Sequence, residues 1–214
     1  GISANDGSSI DLSMNGGAMN VTNANGAASG IYASASSVDF TDMQIMTVSS
    51  DNASAFGINA YSSTVSGDLK GMTVTASGGV AKGISGNKSS DVKLVMGDAM
   101  AVENKNGAAY GVQVSYSSAD FTGMKAMTVS GDNGDAYGIS AYDSTVSGDL
   151  TSMKVTASGF AEGISAVRSS DVKLAMSGDL SVESKNYNAY GIDAQTSSDV
   201  TFTGMKAMTV SGDF

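Results

Sequence analysis

"GMKAMTVSGD" stands at residues 123–132 and again at 204–213, 81 residues further on. Ten identical residues at that distance mark an internal repeat, and other echoes agree. "STVSGDL" is at 63–69 and 144–150, and "SSDVKL" is at 89–94 and 169–174. A finer period runs beneath. Gly followed by Ile or Val recurs at Gly1, Gly30, Gly57, Gly83, Gly111, Gly138, Gly163 and Gly191, in steps of 25 to 29 residues. The chain is therefore eight units of about 27 residues, with three units to a super-repeat. Periods of this size belong to solenoids, propellers and arrays.

Inside a unit the apolar residues alternate. Val172, Leu174 and Met176 fall at every second place, as do Val92, Leu94 and Met96. That is the period of a strand with one face inward. A second segment reads Met-x-Val, as in Met127-Thr128-Val129, with Met153 and Leu180 at the Met place of two further units and Met208 after them. It aligns Val21, Val48, Val74, Val102, Val129, Val155, Val182 and Val210 as one core column. A third segment is Gly-Ile-x-Ala, and Ser-Ser, Ser-Gly-Asp and Asn-Gly turns lie between. Three short strands per unit, with no helical period, predict an all-β fold. It is a single-stranded parallel β-helix of about eight turns, one continuous solenoid over 1–214. Right-handed winding is expected, because parallel crossovers favour it. A propeller blade needs four strands and about 40 residues, which these units lack. Asn25, Asn52, Asn106, Asn133 and Asn186 are expected to stack side chain on side chain. The repeat Gly is expected at a bend with φ > 0 or at a close approach.

Composition narrows the partners. The chain has no Cys, His, Pro or Trp and carries a formal charge of −10. Nucleic-acid phosphates and anionic membrane surfaces call for the opposite sign. No apolar run approaches the roughly 18 residues of a membrane span. The chain starts at a repeat boundary and stops within the eighth unit, so it reads as a piece of a longer polypeptide.

The tandem Ala-Tyr-Gly-Ile units, as at Ala136-Tyr137-Gly138-Ile139, with their "MTVSG" strands, resemble the repeats of bacterial autotransporter passenger domains and related surface adhesins. The resemblance covers the whole chain. It implies a β-helix displayed outside a Gram-negative cell, at the cell surface, as a rigid stalk or adhesin segment.

Chemistry is sparse. Asp39 and Asp120 hold the same place three units apart, roughly 14 Å, too far for a catalytic carboxylate pair. Asp91, Asp171 and Asp199 read as turn residues before a strand. Ser85-x-x-Lys88 and Ser50-Asp51-Asn52 match fragments of serine β-lactamase motifs, but Lys-Thr-Gly is missing and Ser50-Asp51-Asn52 aligns with Gly131-Asp132-Asn133 as a repeat turn. The expectation is no enzyme, no catalytic residue and no cofactor. Asp68 and Asp149 are the candidates for calcium, as hard oxygen ligands in turns. The thirteen Met residues read as soft core filler.

Aromatic residues give the binding candidates. Phe56, Tyr110, Tyr137 and Tyr190 precede repeat glycines, and Lys82 and Glu162 hold the same place, which argues for an outward position. Tyr32, Tyr61, Tyr116 and Tyr142 form a second set after the Gly-Ile step. Such a face suits a glycan or a host protein. A self-assembling fibre is the other alternative, because uncapped strand edges pair readily.

Overall fold

The computed structural model describes residues 1–213. The chain winds as a parallel β-solenoid of eight turns, with no helix among the described residues. The first turn holds β1 (Ile2–Asn5), β2 (Ser9–Ser13) and β3 (Met19–Asn23). The second holds β4 (Ala28–Ser34) and β5 (Ser37–Ser50), and the third β6 (Ala55–Tyr61) and β7 (Thr64–Ala76). The fourth has three again: β8 (Ala81–Asn87), β9 (Asp91–Met96) and β10 (Met100–Asn104). Then come β11 (Ala109–Ser115) with β12 (Ser118–Gly131), and β13 (Ala136–Tyr142) with β14 (Thr145–Ala157). The seventh turn is β15 (Ala161–Val167), β16 (Asp171–Met176) and β17 (Leu180–Ser184). The eighth is β18 (Ala189–Gln195), β19 (Asp199–Thr203) and β20 (Met208–Gly212). The Gly-Ile strands stack into an eight-stranded sheet, and all the others form a twelve-stranded one.

The expected three short strands appear in only half of the turns. In β5, β7, β12 and β14 the second and third segments run on as one strand of 13 or 14 residues. Their alternation slips where they bend: Thr41 and Asp42 are both exposed between buried Phe40 and Met43. The extra residue makes a bulge against β7, and Asp42 sits there at φ 55°, as Gly123 does at 74° in the equivalent bulge.

The Val column is in register through every turn, from Val21 against Val48 to Val182 against Val210. Val48 to Val182 are fully buried, Val21 is half-buried, and Val210, on the last turn with a neighbour on one side only, is 42% exposed. Met127, Met153, Leu180 and Met208 form the adjoining column. The repeat glycines lie within strands and not at bends. Close approach is what they serve: a Cβ on Gly138 would meet the Met153 sulfur at 2.5 Å and the Gly163 carbonyl oxygen at 2.4 Å. The Met and Val columns fill that space from the opposite sheet.

One inward column explains the three-unit period. It reads Leu12, Phe40, Gly67, Leu94, Phe121, Gly148, Leu174, Phe202, each paired with the next. Each complete Phe ring extends over the Gly of the following turn: a Cβ on Gly148 would meet Phe121 ring carbons at 2.4 and 2.5 Å. Large, absent and medium side chains together fill three turns. Gly148→Ala is expected to cost about 1–3 kcal/mol by overpacking. A melting temperature equal to that of the unsubstituted protein would count against this packing.

A serine ladder ties the turns at one corner. The amides of Ser36, Ser63, Ser90, Ser117, Ser144 and Ser170 each donate to the hydroxyl of the serine one turn on, ending at Ser198, over 3.1–3.3 Å. Each of these hydroxyls donates to a carbonyl two or three residues back in its own turn, as Ser117 does to Ser115. Every donor on this buried corner is thereby used. Ser117→Ala leaves the Ser90 amide without its acceptor and should cost about 1–3 kcal/mol in chemical denaturation. Loss no larger than that of the surface change Ser130→Ala would show the ladder to be dispensable.

Candidate functional site

Parallel in-register pairing turns the residue before each repeat glycine into one outward column. It runs Ser29, Phe56, Lys82, Tyr110, Tyr137, Glu162, Tyr190. All four residues of the candidate binding face are thus brought together. Tyr110 and Tyr137 stack with centroids 4.8 Å apart and planes 6° from parallel. The Lys82 ammonium lies 5.7 Å from both the Phe56 and the Tyr110 ring centroids, a cation held between two π faces. Burial lowers the Lys82 pKa. The rings cover one another, so Tyr110 and Tyr137 turn edges outward and not the open faces on which a sugar ring would stack.

Glu162 interrupts the ladder, and Phe160 repairs it. The Phe160 ring lies 5.9 Å from Tyr137 and 5.3 Å from Tyr190, bridging the two. Phe160 comes from the turn before β15, at the place that Val80 and Ala108 hold in other units. Sequence reasoning missed it because it lies outside the column. Its departure from a small residue was the available signal. Glu162 is left only 4% exposed, and its Oε1 has no hydrogen-bond partner. It is the one column member that is fully covered. Burial, with the nearby Asp193 charge, pushes its pKa up from an ordinary 4.5 to about 7, against a lowering hydrogen bond from Ser165. Burial and the charges of Asp135, Tyr110 and Glu162 raise the Tyr137 phenol to about 12.

The second tyrosine set is more dispersed. Tyr116 and Tyr142 meet edge to face at 5.5 Å, with Arg168 at 5.2 Å from the Tyr142 ring, while Lys88 sits 4.9 Å from Tyr61. Several of the candidate aspartates are engaged structurally. Asp39 and Asp120 share a column, separated by Ser66 and Lys93. Asp91 and Asp171 open β9 and β16, and Asp199 opens β19, within strands and not in turns, and the first two pair with Lys93 and Lys173. The calcium candidates serve the bulges: Asp68 accepts the Asp42 amide at 3.0 Å, and Asp149 accepts the Gly123 amide. No cluster of three or more metal-ligating side chains occurs among the described residues.

Two shallow depressions follow the bulges. One of about 530 Å³ is lined by Met124, Asp149, Leu150 and Met176, and one of about 360 Å³ by Phe40, Asp68, Lys93 and Leu94. The Asn turns differ in part from expectation. Asn133 donates to the Asn106 side chain at 3.3 Å, but Asn52, Asn106 and Asn186 donate to backbone carbonyls of the preceding turn. Gly78 and Ser158 hold the Asn place in two units, so Asn106 and Asn186 have no Asn side chain on the preceding turn.

Comparison with protein-family models, curated proteins and solved structures returned no match.

Glu162 makes stability depend on pH. Its folded pKa of about 7 lies above the unfolded value, so the folded state holds more protons between about 4.5 and 7. Stability is therefore greatest below that window, falls as pH rises through it, and is level above it. Melting curves between pH 4 and 8 should show this slope, and Glu162→Gln should remove the part due to this residue. An unchanged slope in the variant would assign it elsewhere.

Proposed function

We propose that this chain is a rigid structural rod, a stalk or adhesin segment displayed at a bacterial cell surface. The observation that supports it is the unbroken coil. Every turn is paired to the next in both sheets, and no turn carries an inserted loop or domain. An active site usually breaks the repeat that carries it, whereas a spacer has no such need. Asp68 and Asp149 are engaged in the bulges and Asp91 and Asp171 in ion pairs, which fits a structural use of these four carboxylates. The charge of −10 opposes aggregation of a repetitive β surface. The resemblance to passenger repeats supplies the extracellular setting.

Two measurements test the reading. Small-angle scattering should give a stiff particle whose eight turns span about 34 Å between first and last. Antibodies raised against the segment should label intact cells of the source organism. Labelling only after permeabilisation would overturn the surface assignment, and a flexible scattering profile would overturn the rod.

A further inference from the structure

Two gaps in the aromatic ladder have the same width and different contents. Phe56 and Tyr110 are two turns apart, as are Tyr137 and Tyr190, roughly 10 Å in each case. In the first gap the intervening residue is Lys82, whose ammonium sits 5.7 Å from both rings. In the second the intervening residue is Glu162, and the Phe160 ring takes up the space between the rings. The carboxyl below Phe160 is nine-tenths buried and has an oxygen without a partner. No ion pair engages it.

We propose that the Tyr137–Tyr190 gap is a binding site for an alkylammonium ion, floored by Glu162 and closed by Phe160. The first gap shows what such a ladder accepts between two rings. When Phe160 swings out, an ammonium meets two aromatic faces, as Lys82 does, and in addition the carboxylate that Lys82 lacks. A desolvated cation between rings is held more firmly than an exposed one, and pairing satisfies the orphaned oxygen.

The groups around Glu162 set its pH dependence. They are Ser165 on its own strand, Tyr137 on β13 with Asp135 before it, and Tyr190 and Asp193 on β18. None is a cation, and the two aspartates favour a positive guest. Below the titration of Glu162 the carboxyl is neutral and Phe160 stays seated. Above it, an unpaired charge beneath the ring favours opening, and the ammonium guest compensates that charge. Phe160 thus excludes the uncharged solutes that an open aromatic slot would admit.

The test uses n-butylammonium as probe and n-butanol as its uncharged control, with binding read by ring-proton NMR shifts and calorimetry. Wild-type protein should show shifts at Tyr137, Phe160 and Tyr190 with the amine at pH 8 and none at pH 5. Phe160→Val, which installs the side chain Val80 has at the equivalent place, should tighten binding about tenfold or more by removing the closed state. Glu162→Gln in that background should weaken it at least about tenfold. Nα-acetyl-lysine amide and putrescine then distinguish a partner's lysine side chain from a free amine as the guest. Equal response to butanol, Phe160→Val binding no tighter than wild type, or binding indifferent to Glu162→Gln would each overturn the site. The wild-type pH comparison stands independently of whether the variants fold.

Discussion

Parallel stacking in register is the constraint from which the rest follows. Each side chain must coexist with its counterparts on the turns above and below, at roughly 4.8 Å. For aliphatic groups that is favourable, and the Val column runs the length of the coil. For serine it is favourable too, because one hydroxyl can accept from the previous turn and donate within its own. For a Phe or a charge, stacking of identical copies is unfavourable. Three phenylalanines in one narrow core would overfill it, and like charges at this spacing repel by about 1 kcal/mol even in water.

The three-turn block resolves both conflicts at once. Inside, Leu, Phe and Gly rotate through one column so that each ring finds an empty neighbour. Outside, Asp39, Ser66, Lys93, Asp120, Ser147 and Lys173 rotate acid, hydroxyl and base through another. Within this strip like charges meet only at its first step, Asp11 with Asp39, and its last step sets Lys173 against Thr201. A slip of two turns would set Phe40 on Phe121 and Asp39 on Asp120, so the three-turn block penalises that misregister.

Much of this was legible in the sequence, because a column is a periodic pattern. The Val and Met columns, the outward aromatic column and the number of turns came from counting alone. What was not legible depends on relations between units of different type. Identity at 123–132 and 204–213 showed that a block was copied, but not that Phe121 needs Gly148 beneath it. The serines at the corner looked like ordinary turn residues, because hydrogen bonds from amide to hydroxyl leave no trace in a pattern of polarity. Phe160 lay outside the column it completes. The merging of strands in half the turns escaped notice because a bulge stabilised by Asp68 or Asp149 reads like a Ser-Gly-Asp turn.

The serine ladder bears on mechanics. Its bonds, like those of both sheets, point along the coil axis, from one turn to the next. Tension on the two ends therefore loads the turn-to-turn interfaces in series, and the terminal turns, paired on one side only, yield first. The coil yields by peeling, one turn at a time, and not by shearing as a unit. Each released turn lengthens the chain by about 90 Å, the extended reach of some 27 residues. A segment under load would thus act as a stepwise shock absorber, rewinding on the template of the turn that remains.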